Sequence, residues 1–194
     1  MNLSVKWIFI LFFIPLSVFG EEETTCALSG EEFETIVSLP FKEFDQTAGS
    51  GWRPFYEEGC YSVASKLLIR YLTEHPEIAQ QQFILPFHAG QLLAMAGDYE
   101  KALPFLEGGY TDIEMEYVNW NAFVDAHIAF ITRDKKLLME SRDKISKQPG
   151  MPNEQGVPEW AIGKKMNLDV VDGFINCFNK PFAEAYENDC RNIQ

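Results

Sequence analysis

Gly97-Asp98-Tyr99-Glu100-Lys101-Ala102, with Leu106 four residues further on, is the stretch that decides the fold, because it has a counterpart upstream. Gly59-Cys60-Tyr61-Ser62-Val63-Ala64 is followed by Leu68, so glycine, tyrosine, alanine and leucine hold the same four offsets 38 residues apart. An internal period in this range marks stacked helical hairpins. Each position has a physical role. Glycine permits the turn between two helices, tyrosine packs across the pair, alanine lets the helices approach closely, and leucine fills the core behind it.

A second helix carrying glycine-x-tyrosine-x-x-alanine resembles the tetratricopeptide-repeat family. The best match runs from His88-Ala89-Gly90-Gln91-Leu92-Leu93 through Ala94-Met95-Ala96 into Gly97 and on to Leu103, with Gly90 at the family's small position in the first helix. Pro76 falls twelve residues after Ala64, where the family usually ends its repeat. A third unit pairs Asn119–Arg133 with Asp134–Ile145 and puts Ala126 and Leu138 at the packing positions, without the glycine and the tyrosine. The resemblance implies an all-α domain, a short TPR-like α-solenoid over about residues 52–146. The chain departs from the family in its short, interrupted first leading helix, in Pro86, and in a spacing longer than the usual ~34 residues. Gly51-Trp52-Arg53, His88-Ala89-Gly90-Gln91 and Asn119-Trp120-Asn121 look like patches in exported bacterial proteins, which implies a periplasmic setting.

Outside the repeats, Ser29-Gly30-Glu31-Glu32 has the form of a capping box. Phe33, Val37, Phe41 and Phe44 then make one apolar helical stripe, with Pro40 expected to break it. Residues 148–160 hold three prolines and two glycines and read as an irregular connector. Asn167 is placed to cap a final helix with Leu168, Val171, Phe174, Ile175 and Phe178 on one face. Pro181 opens a short helix with Phe182 and Tyr186. This C-terminal hairpin, about residues 160–190, would cap the stack.

Lys6 and the uncharged, Ile-, Leu- and Phe-rich run Trp7–Phe19 read as a signal peptide over residues 1–20, removed after Gly20 to leave one domain at 21–194. The run is shorter than the ~20 apolar residues of a membrane-spanning helix. No membrane insertion is therefore expected after cleavage, and the protein is expected in the bacterial periplasm or secreted space. The formal charge of −13 becomes one unit more negative without Lys6, which disfavours nucleic acid and anionic lipid as partners. Cys26, Cys60, Cys177 and Cys190 all lie in the mature part, and an even count in an exported chain argues for disulfides. Four cysteines allow three connectivities. Proximity along the chain favours Cys26–Cys60 and Cys177–Cys190.

No catalytic fingerprint, phosphate loop or zinc motif occurs, and no cofactor or metal is expected. His75, His88 and His127 have no His or Cys partner at helical spacing, and Asp125 and His127, two apart, do not share a helix face. His88 reads as a core or edge histidine satisfied by a local carbonyl. Trp52-Arg53 reads as a buried anchor whose arginine pairs with Asp45, or as a carboxylate-binding pair. The repeat register sets Phe87, Gln91 and Met95 opposite Trp120, Phe123 and His127, with Asn119 and Asn121 flanking the tryptophan. That inner face is a slot for an extended peptide or a small apolar ligand, the partner expected being another protein or such a peptide, or it is core, filled by the N-terminal or C-terminal helix. The expected function is non-enzymatic binding or scaffolding. The alternative is a small exported enzyme or accessory subunit with a polar site at His88, Asp125 and His127.

Overall fold

The structure is a computed structural model that describes residues 26–191, and the expected signal peptide lies outside them. The described residues form helices and no strand, with one isolated bridge between Met151 and Ile162. None of these helices is long and apolar enough to cross a membrane.

The helix α1 (Gly30–Val37) opens on the capping box, with the Ser29 hydroxyl accepting from Glu32 N–H and the Glu32 carboxylate accepting from Ser29 N–H. Pro40 ends the stripe and caps α2 (Phe41–Asp45), as its fixed φ and missing donor require. Next come α3 (Arg53–Glu57) and α4 (Tyr61–Glu74), then α5 (Pro76–Gln81), which Pro76 opens. The long pairs α6 (Ile84–Met95) with α7 (Tyr99–Glu107), and α8 (Trp120–Ile131) with α9 (Lys135–Ser146), follow.

Three helix-to-helix turns close in the same way. Gly59 and Gly97 take left-handed φ values of +76° and +82°. The next residue's N–H then reaches back five residues, Cys60 to the Phe55 carbonyl at 2.7 Å and Asp98 to the Leu93 carbonyl at 2.9 Å. This is the Schellman closure of a helix C-terminus. The third hairpin closes likewise, with Asp134 N–H on the Ala129 carbonyl at 2.8 Å, but its left-handed residue is Arg133, at φ +61°. Asp98 and Asp134 then cap the following helices through Lys101 N–H and Leu137 N–H. Ala64, Ala102 and Leu138, five residues past each turn, are fully buried, and so are Leu68 and Leu106.

Gly90 shows why its position must be small. A Cβ there would stand 2.7 Å from the Leu106 backbone nitrogen, so α6 and α7 cross backbone against backbone. The helix α6 is buried on both sides. Leu85, Ala89 and Leu92 join the N-terminal core with Val37, Phe44, Trp52, Leu67 and Tyr71. Phe87, Leu93 and Met95 join the C-terminal core with Phe123, Phe130, Phe174 and Phe182. A helix apolar all round belongs in the middle of a fold.

The connector runs from residue 147 to 167 and holds one 3-10 turn, Glu159–Ala161. Asn167 precedes α10 (Leu168–Asn176) but does not cap it with its side chain; its backbone is left-handed, at φ +67°. Short polar asparagine tolerates that conformation. The expected C-terminal hairpin is three short helices, because α11 (Phe182–Tyr186) ends at an extended Glu187 before α12 (Asn188–Arg191). Both disulfides, Cys26–Cys60 and Cys177–Cys190, are formed as chain proximity favoured, and the second ties α10 to α12.

Candidate functional site

The loop between α7 and α8, residues 108–119, is where side chains with binding capacity gather. Asn121 holds one end of it. Its carbonyl oxygen accepts from Thr111 N–H at 3.1 Å, and its amide donates to the Thr111 carbonyl at 2.8 Å, copying the pairing of a neighbouring strand. Asn119 caps α8 and receives its own backbone partner from Gln148, whose oxygen accepts from Asn119 N–H at 2.7 Å. The Gln148 amide donates to the Met166 carbonyl at 2.8 Å, so one buried side chain ties the α8 N-terminus to the connector. The Trp120 indole N–H donates to the Gly109 carbonyl at 2.7 Å. Its ring lies against Phe83 and Phe87, at 5.2 and 4.8 Å between centroids. The tryptophan is half-buried, held by one hydrogen bond and by ring contacts on two sides.

Two concavities adjoin there and share Met115, Val118 and Trp120 as a common wall. One is an apolar slot of about 460 Å³ between Phe41, Phe83, Ile84 and Met166, with the amides of Gln46, Gln82 and Asn167 around it. The other is a larger trough of about 860 Å³ between loop residues 111–116 and Lys144, Lys147 and Gln148. Between Asp112 and Val118 only the Ile113 N–H has a hydrogen-bond partner among the described residues, the Thr111 hydroxyl; those of Glu114, Met115, Glu116 and Tyr117 have none. Apolar walls with a few amides suit an apolar side chain and a peptide backbone.

The eight residues expected on one inner face therefore divide. Asn119, Trp120 and Asn121 line the trough. Phe87, Met95, Phe123 and His127 do not face an open groove; they are buried in the C-terminal core, where α10 and α11 pack against His127. His127 shows this most plainly, with the rings of Phe174 and Phe182 at 5.0 and 5.6 Å. Its Nδ1–H donates to the Phe123 carbonyl at 2.9 Å, and Gln91 donates to its Nε2 at 3.4 Å. Burial pushes the imidazole pKa down to about 3, so the ring is neutral. Gln91 is committed to that contact. Sequence reading missed Phe83, Gln82, Gln46, Met166 and Gln148, which lie in segments without a repeat signature.

The polar trio His88, Asp125 and His127 is not assembled. Asp125 accepts from the Tyr110 hydroxyl at 2.6 Å and pairs with Lys144 at 3.4 Å. His88 donates from Nδ1 to Asp45 Oδ1 at 2.8 Å, a partner 43 residues away and not the local carbonyl expected. Asp45 is wholly buried and also accepts from the Trp52 indole at 2.9 Å and from the Gln46 amide. Burial pushes its carboxyl up, but the hydrogen bond and charge of His88, helped by Trp52 and Arg53, hold it below the usual carboxylate range. Arg53 meets the Asp45 backbone carbonyl at 2.7 Å rather than its carboxylate, and stacks over Trp52 with its guanidinium 4.6 Å from the ring. The cluster fastens α2 to α6. Among the described residues no histidine hydrogen-bonds a serine, threonine or cysteine side chain, and no group of three His, Cys, Asp or Glu could hold a metal ion.

Compared with protein-family models, curated proteins and solved structures, the chain matches none.

Proposed function

We propose that the protein is a non-enzymatic binding module that captures a peptide or a segment of a partner protein in the paired concavities around Trp120. The observation that supports this reading is the tryptophan itself. It is half-buried, hydrogen-bonded to Gly109, and forms one wall of both an apolar slot and a polar trough. A half-exposed aromatic anchor beside unpartnered backbone N–H groups is what peptide-binding surfaces use.

Three finer readings belong to the same proposal. The three hairpins with equivalent turns form a short TPR-like stack, capped by the disulfide-bound C-terminal helices. The two disulfides support an oxidising compartment for the domain. With the signal peptide at residues 1–20, that compartment is the bacterial periplasm or the secreted space.

Selection of a displayed random-peptide library on the protein tests the reading. Recovered peptides should lose about tenfold or more in affinity against Trp120→Ala and against Met115→Glu, the second chosen because Met115 sits on the loop and only partly buried. Unchanged affinity in both variants, with helical content intact by circular dichroism, would refute it.

A further inference from the structure

The charge and backbone of the same concavities point to the kind of peptide they take; this inference rests on the binding reading above. Asp112, Glu114 and Glu116 alternate with Ile113 and Met115 along the loop, and all five line the trough. The three carboxylates are exposed, and none has an ion-pair partner among the described residues. The lysines that share the trough do not neutralise them. Lys144 is paired with Asp125 at 3.4 Å and Lys147 with Asp143 at 2.5 Å. The trough is therefore negative. The run Ile113–Met115 lies outside any helix, and the N–H groups from Glu114 to Val118 have no hydrogen-bond partner among the described residues, so they can donate to the carbonyls of a bound peptide. Across the shared wall, the slot supplies apolar surface from Phe41, Phe83, Ile84 and Met166.

We propose that the occupant is an extended peptide with one large apolar side chain seated in the slot and lysines or arginines at alternate following positions, set against Asp112, Glu114 and Glu116. Its carbonyls accept from loop N–H groups, its apolar residue supplies most of the affinity, and its charge supplies preference and rate of capture.

The test uses three fluorescein-labelled heptapeptides. One has a phenylalanine followed by lysines at alternate positions, one has glutamates in place of the lysines, and one has serine in place of the phenylalanine. Binding is read by anisotropy against the wild-type protein, against Trp120→Ala, against the triple variant Asp112→Asn, Glu114→Gln, Glu116→Gln, and against a control that removes equal charge elsewhere, Glu57→Gln, Glu58→Gln, Glu100→Gln. The lysine peptide should bind about tenfold tighter than the glutamate peptide at ~50 mM salt, with the margin shrinking as salt rises. The margin should vanish in the loop variant and survive in the control. Equal binding of lysine and glutamate peptides, both lost in Trp120→Ala, would overturn the charge inference and leave the binding reading standing. An equal loss in both triple variants, or binding indifferent to the phenylalanine, would trace the attraction to net charge and overturn it. No binding of any peptide overturns it too, and the library selection then decides the broader reading on its own.

Discussion

Lowering the pH from 7 to 5 should destabilise the wild-type protein by about 2 kcal/mol more than it destabilises His127→Phe. In the folded protein the buried imidazole is pushed down to about 3 from an ordinary 6.5, so it takes no proton in this range. The unfolded chain does. Stability from this group is thus complete above pH 6.5 and falls steadily as the pH drops toward 3, because the unfolded state binds a proton that the folded state refuses. One pKa unit corresponds to about 1.4 kcal/mol, and pH 5 lies about 1.5 units below the unfolded value, which gives the figure of about 2. For a domain of this size that is a midpoint shift of about 4–8 °C. Phenylalanine keeps the ring among Phe123, Phe174 and Phe182 and removes the proton. Asp45 does not interfere, since its folded carboxyl titrates below the usual carboxylate range and its contribution is lost only at lower pH. Thermal unfolding followed by circular dichroism at the two pH values measures the difference directly. Equal pH-dependent losses in the two proteins would show that His127 accepts a proton without unfolding, and the dry aromatic core around it would be wrong.

Gly97→Ala should cost about 1 kcal/mol, the strain of a left-handed alanine, because an added Cβ meets nothing within 4 Å. Gly90→Ala should cost more, about 2–3 kcal/mol, since its Cβ would press on the Leu106 backbone; urea unfolding of the pair ranks them, and the reverse order would contradict the close helix crossing. Replacing Cys177 and Cys190 by serine should cost about 3 kcal/mol and replacing Cys26 and Cys60 about 4, from the loops of 13 and 34 residues they close, as measured by denaturant midpoint. Asp45→Ala leaves the Trp52 indole and the His88 ring without their buried acceptor and should cost about 3 kcal/mol or more; a loss below ~1 kcal/mol would mean that the cluster does not fasten α2 to α6.

Glycine made the first two hairpins legible, since a residue free to take positive φ marks where a helix must reverse. The third turn carried no such mark because an arginine holds the left-handed position, and nothing in its side chain announces that backbone. The disulfide pairing could be read because each partner is near in sequence. The Asp45–His88 contact could not, as it spans 43 residues and depends on how α2 folds back on α6. The inner face was harder still. Phe87, Phe123 and His127 would look alike in sequence whether they lined a groove or a core, and only the packing of the later helices α10 and α11 into the same core, against His127, decides between the two. Trp120 escapes that burial because the irregular loop before it, not a helix, forms its outer side.

Arg133 spends backbone energy at φ +61° and uses its long side chain to donate to the Phe178 carbonyl and, at 3.1 Å, to the Lys180 carbonyl, just past the end of α10. Glycine would relax the bend but let go of those carbonyls, and lysine would keep the strain with a single, differently aimed donor. Neither neighbour in chemistry does both jobs. The arrival of the chain's last third is in this way written into the corner of its middle.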